Sequence, residues 1–414
     1  MKTPIMLSHI ALRGIRGVAA LTLDLAPPAK GEEGQWTVLC GEGGCGKTTV
    51  LRAVALALRD LSTPALWPSR VFRVPYRSGT VGSIVVVGTA GRGEVTVRPG
   101  DGSETFTQAS RPTPFPVFAY GARRGSALGG ASRAVDLSDS QAIATLFDEG
   151  AGLVHAETWL CGLGAGAARE PARYSALFET ILASLRTLLG LDEIRVERAG
   201  ILVSGASIGT QVPLEALGDG CLIALGWFLD LIARSVDRAE RDRLPLGPDF
   251  LQRMTGLCLV DGLDLHLHPR AQLDLIPRLR ALLPRMSFLV TTHNPLTLVG
   301  ARPEEIWVLS REDGAIAARR GEEAPLLLTG GQILGRYFGI VDLYPHELGE
   351  AVRRYGFLAS DPQRSDDKDA ELGILLGKMK TFGIEPGWEP VARGSKAPSE
   401  QVAPRAPRSR KVKP

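Results

Sequence analysis

The sequence predicts an α/β fold built on a parallel core sheet, and three observations carry that prediction. A short apolar run, Trp36 to Cys40, leads straight into a glycine-rich loop and then a helical pattern over 47–60. A second apolar run, Leu257 to Val260, ends in Asp261. Between 256 and 310 the chain alternates as strand, helix, strand, loop and strand, the order of a parallel α/β core.

In chain order, residues 5–25 alternate in the manner of two strands joined by a glycine-containing turn. The stretch 47–60 sets alanines and leucines at helical spacing. Residues 70–120, dense in Val, Thr, Gly and Pro, read as a small antiparallel sheet. Helices are expected at 139–162, 172–190 and 221–237, with a hairpin at 194–212. Residues 330–390 read as a separate helical appendage. No heptad run of useful length occurs, so no long coiled coil is expected. The domain plan is a head over 1–325, with a helical lobe at about 135–237 inserted in it. An appendage over 326–390 and a basic, disordered tail over 391–414 follow.

A hydrophobic share of 44% against 22% charged residues suits a globular chain with a true core. No apolar run reaches the roughly 18–20 residues of a membrane span, and the start lacks a signal peptide's layout. A cytoplasmic protein with no membrane contact is therefore expected. Five cysteines (Cys40, Cys45, Cys161, Cys221 and Cys258), with no CxxC pair, speak against a disulfide framework or a zinc site. The net charge of +3 is uneven: the last 24 residues hold seven Lys or Arg and one acid, +6, leaving −3 for the body. Such a tail is either a DNA contact or a solvated terminus.

Gly41-Glu-Gly-Gly-Cys-Gly46-Lys47-Thr48 matches GxxxxGK[ST] in full, between a strand and a helix. The chemistry needs that context. Glycines let backbone N–H groups turn around phosphates, and the helix N-terminus adds positive potential. Gly41, Gly43, Gly44 and Gly46 would form the cradle, with Thr49 beside it. Lys47 would reach the β- and γ-phosphates of ATP, and the Thr48 hydroxyl would hold Mg²⁺. Asp261, in Walker B position, would complete the metal shell, mostly through water.

Asp261-Gly-Leu-Asp-Leu-His-Leu-His-Pro269, followed by Val290-Thr-Thr-His293-Asn-Pro, resembles the IDE-x-(D/E)-LHLHP … TTHSP arrangement of ABC-type ATPases of the SMC/RecF/OLD kind, as in bacterial anti-phage defence. The resemblance makes His293 the switch that senses γ-phosphate. Leu217-Gly218-Asp219-Gly220 looks like the family's LS-D-G signature, which closes on ATP held by another subunit. Arg13-Gly-Ile-Arg16 resembles the N-F-R-G-F opening, and Tyr120-Gly-Ala-Arg123 the Y-G-x-x-R segment; each arginine could equally be an ordinary surface residue. His266 and His268 could suggest a metal, but packing and loop hydrogen bonds explain them as well. The landmarks run in family order from residue 5 to about 310. They imply a head with an antiparallel β subdomain and a helical lobe.

Two positions depart from the family. The glutamate that orients the attacking water is replaced by Gly262, and the signature serine by Gly218. Loss of such a base costs typically about 10²–10⁴-fold, so slow or conditional hydrolysis is expected. Asp264 is a poor substitute, since the family already has an acid there. If Gly262 has ordinary strand-end dihedrals, Gly262→Glu should raise turnover. The resemblance implies an ATP-gated dimer, with itself or an ATPase paralogue, acting in defence or DNA maintenance with a separate effector such as a nuclease. Residues 310–414 lack the acidic pattern of a fused Toprim nuclease. The alternatives are a hydrolysis-dead scaffold and, with less support, a transporter's ATP-binding subunit.

Overall fold

The computed structural model describes residues 4–60, 81–99, 104–125, 128, 136–139, 141–197, 200–206, 208–340, 346–384 and 390–392. The expected basic tail lies almost wholly outside them, as does 61–80. The chain divides into two compact units, 1–339 and 340–414.

In the first unit the strands are β1 (Leu7–Ile15), β2 (Val18–Asp24), β3 (Trp36–Gly41), β4 (Gly82–Gly88), β5 (Gly91–Pro99), β6 (Glu104–Ser110), β7 (Val117–Tyr120), β8 (Glu193–Glu197), β9 (Gly200–Gly205), β10 (Gly209–Pro213), β11 (Gly256–Val260), β12 (Met286–Thr291), β13 (Ile306–Glu312) and β14 (Ala315–Arg320). The helices are α1 (Lys47–Leu58), α2 (Ala156–Arg169), α3 (Pro171–Leu189), α4 (Asp219–Arg241), α5 (Phe250–Arg253), α6 (Pro269–Leu282), α7 (Pro295–Leu298) and α8 (Gly330–Phe338).

The central sheet runs β14-β13-β3-β12-β11-β7. All its pairings are parallel except β13 with β14. Strand alternation divides its side chains between two cores. Val38, Cys40, Cys258, Val260 and Val290 face one core, filled from the far side by α2, α3, α4 and α6. Leu39, Leu257, Leu259 and Leu289 face the other, with α1 and the antiparallel sheet β2-β1-β4-β5-β6. A strand covered on both faces reads as a continuous apolar run, which is why Leu257-Cys-Leu-Val is legible as a central strand.

Two readings are corrected. The segment expected as a hairpin at 194–212 is a three-stranded sheet, β10-β9-β8. The described strands of 70–120 do not form a sheet of their own: β4, β5 and β6 extend β1 and β2, while β7 joins the parallel core. Helix α8 buries Ile333, Tyr337 and Phe338 in the core shared with α2, α3, α4 and α6, and the division of the chain falls after Gly339.

The second unit pairs two helices, α9 (His346–Ser360) and α10 (Asp366–Thr381), around Leu348, Tyr355, Leu358 and Met379. Among the described residues no helix is long and apolar enough to cross a membrane.

Candidate functional site

The P-loop connects β3 to α1, and its backbone explains its glycines. Gly41 (φ 125°), Gly44 (φ 78°) and Gly46 (φ 90°) lie in the left-handed half of the map. A Cβ on Gly41 would sit 2.0 Å from the Leu309 carbonyl oxygen. Gly43 and Gly44 are exposed, whereas Lys47 and Thr49 are buried and Thr48 is half-buried. Helix α1 opens at Gly46 with no side-chain cap and no acid in its first turn. Its first N–H groups are thus left for an anion. The Lys47 ammonium donates to the carbonyls of Gly41 (2.8 Å) and Glu42 (2.7 Å), within the loop itself.

Asp261 follows β11 and joins that loop. Thr48 Oγ1 donates to its Oδ2 and Thr291 Oγ1 to its Oδ1, each at 2.7 Å. Thr291 in turn accepts from the Gly262 N–H at 2.8 Å. Thr48 and Asp261 are hard oxygen donors on adjoining elements, a set that suits Mg²⁺. Among the described residues no cluster of three or more His, Cys, Asp or Glu could hold a metal alone.

His293, exposed just beyond β12, shares this neighbourhood. Its partial burial and the nearby Lys47 charge press its pKa below the usual value, while Asp264 and Asp261 pull the other way. Asp264 is buried, with Thr292 and Thr297 both donating to its Oδ2 at 2.6 and 2.8 Å. A carboxylate so engaged holds its loop.

The condition attached to Gly262 fails. Its φ is +62°, and a Cβ there would lie 2.7 Å from Leu265 Cγ. Glutamate at this position meets both backbone strain and a clash. Gly218 differs: it is exposed, with φ −61° and ψ 150°, and nothing lies within 4 Å of a built Cβ. It caps α4 without a side-chain hydrogen bond.

The signature meets the loop that follows Asp261. Gly220 packs so closely there that a Cβ would stand 2.1 Å from the His266 carbonyl oxygen. His266 itself holds φ +59°, and His268 caps α6 by accepting from the Arg270 N–H, so the two histidines shape this loop. Arg16 occupies the β1–β2 turn at φ 53°, half-buried and near enough to Arg52 to depress its pKa after burial does. Of the two arginines after Tyr120, Arg123 is exposed and pairs with Glu149 at 2.8 Å. Arg124, on which the Y-G-x-x-R spacing from Tyr120 ends in place of the expected Arg123, is buried and bonded to the carbonyls of Asp261 and Gly262.

With this geometry in place, comparison with known proteins adds to the assignment. No protein-family model matches the chain. Septu protein PtuA of Bacillus mycoides is 24% identical over 364 residues, 86% of this chain and 48% of that protein. The retron Ec83 probable ATPase of Escherichia coli is 31% identical over 126 residues, 30% of this chain and 21% of that protein. The chain resembles P-loop ATPases of the SMC/RecF-like type. It spans about half the length of the first relative and about a fifth of the second. The SMC head domain of Thermotoga maritima covers 77% of the head-bearing chain at a TM-score of 0.41 and 13% identity, with 99% of that domain covered.

Proposed function

We propose that this chain is a cytoplasmic, ATP-gated clamp in bacterial anti-phage defence or DNA maintenance, working with a separate effector protein. The observation that carries it is the Thr48–Asp261–Thr291 network, which joins the phosphate loop to the ends of two core strands. The α1 N-terminus and Lys47 would bind the β- and γ-phosphates, exchanging the ammonium's bonds to Gly41 and Glu42 for bonds to phosphate oxygens. Thr48 and Asp261 would hold Mg²⁺, which would supply positive charge against the phosphate oxygens. His293, favoured as neutral imidazole, would donate toward the γ-phosphate. Leu217–Gly220, at the start of α4, would close on nucleotide held by a second copy or a paralogue. The names of the PtuA and retron relatives support the defence setting.

The left-handed Gly262 supports a second reading: a scaffold that ATP assembles but that hydrolyses almost nothing. Light scattering with MgATP and with ADP tests the clamp. MgATP should drive the chain to a dimer or larger assembly and ADP should not. A chain that stays monomeric in saturating MgATP, alone and with its genetic partner, contradicts it.

A further inference from the structure

Arg124 carries a charge into the interior beside the metal-binding strand end. It is 4% exposed, and Nη1 donates to the carbonyls of Gly121 at 2.9 Å and Asp261 at 2.7 Å. Nη2 donates to the carbonyl of Gly262 at 2.8 Å, and Nε has no partner among the described residues. Burial lowers its pKa to about 10, with the Asp261 carboxylate the first of the groups opposing that, so it stays charged near neutrality.

Burying a guanidinium is costly unless its bonds are well made, and here they go to consecutive carbonyls. Bridging two such oxygens takes a planar fork of donors, which arginine has and lysine lacks. One bridged carbonyl belongs to Asp261, whose carboxylate meets Thr48, and the other to Gly262, the next residue, where the chain turns. We propose that Arg124 is the positioning residue of the metal site, holding the strand end so that Asp261 presents its carboxylate to Thr48 and the ion. The proposal rests on the MgATP reading above and names the residue that would set its metal dependence.

The test separates metal from phosphate binding. A fluorescent ATP analogue is titrated in Mg²⁺ and in EDTA, with the unaltered chain and with Arg124→Gln. Affinity in EDTA, which depends on the P-loop, should be retained. The gain on adding Mg²⁺ should shrink about tenfold, the worth of one charge-assisted hydrogen bond. Arg124→Lys keeps the charge but not the bridge, so it should recover only part of that gain; it carries the same test should the glutamine variant not fold. An undiminished Mg²⁺ gain overturns the proposal. So does an equal loss in both conditions, which marks a merely structural role, or full recovery by lysine. No nucleotide binding by the unaltered chain in either condition would instead overturn the ATP reading on which the proposal rests.

Discussion

The Tyr120 hydroxyl donates to Asp230 at 3.0 Å, while the Tyr120 carbonyl accepts from the Asp261 N–H at 2.8 Å. One residue thus bonds both to the strand end at Asp261 and to α4, the helix that begins at Asp219. Asp230 also accepts from Arg234 Nε at 2.7 Å and from the Val154 N–H at 3.1 Å, all of it inside the core. Burial and the Asp230 charge raise the Tyr120 pKa, which keeps the hydroxyl a donor.

Asp230→Ala would leave Arg234 buried without its carboxylate and strip Tyr120 and Val154 of their acceptor. Breaking a buried pair by removing one partner costs about 3–5 kcal/mol. Urea unfolding should show a loss of that order. A loss under about 1 kcal/mol, the worth of an exposed pair, would mean the network is not a structural brace.

Gly262 and Gly218 should respond oppositely to substitution. Gly262→Glu should destabilise by about 1–2 kcal/mol from the left-handed backbone alone. It should also leave steady-state ATP turnover unraised, because the strand end cannot take the side chain without shifting. Gly218→Ser should be tolerated and add a few tenths of a kcal/mol by capping α4. Thermal melts and phosphate release measure both. Faster turnover by the glutamate variant would show that the turn relaxes and would revive glutamate as the missing base.

His293 should leave a mark on stability against pH. Its pKa in the folded chain is below the ordinary value of about 6.5, so as pH falls the unfolded chain takes up that proton first. The neutral ring's contribution is complete above the unfolded pKa and lost as pH drops toward the folded one. His293→Gln should flatten the unfolding midpoint between those values. An unchanged profile would mean that His293 does not titrate in this environment.

What the sequence discloses follows the range of the forces involved. The P-loop is legible because a phosphate cradle is local: Gly41, Gly44 and Gly46 need the freedom that only glycine has. Asp261 is legible because a doubly covered strand leaves an apolar run with an acid at its end. Gly262 is not, since its φ belongs to a turn held from outside by Arg124 and Thr291. Arg124 was open to a count, since Y-G-x-x-R from Tyr120 ends on it and not on Arg123, but its burial is shown only by packing. Nothing local in α8 says which unit it packs with. Only packing assigns Ile333 and Tyr337 to the head.

The central claim is that the loop between β3 and α1 binds ATP, and one titration tests it most directly. Lys47 is the fixed charge placed among the loop carbonyls of Gly41 and Glu42. A fluorescent ATP analogue should saturate the unaltered chain in Mg²⁺. Lys47→Ala should weaken that binding by at least about tenfold, the loss of one charge-assisted contact, with the circular dichroism spectrum unchanged. Equal affinity in the folded variant and the unaltered chain would contradict the assignment.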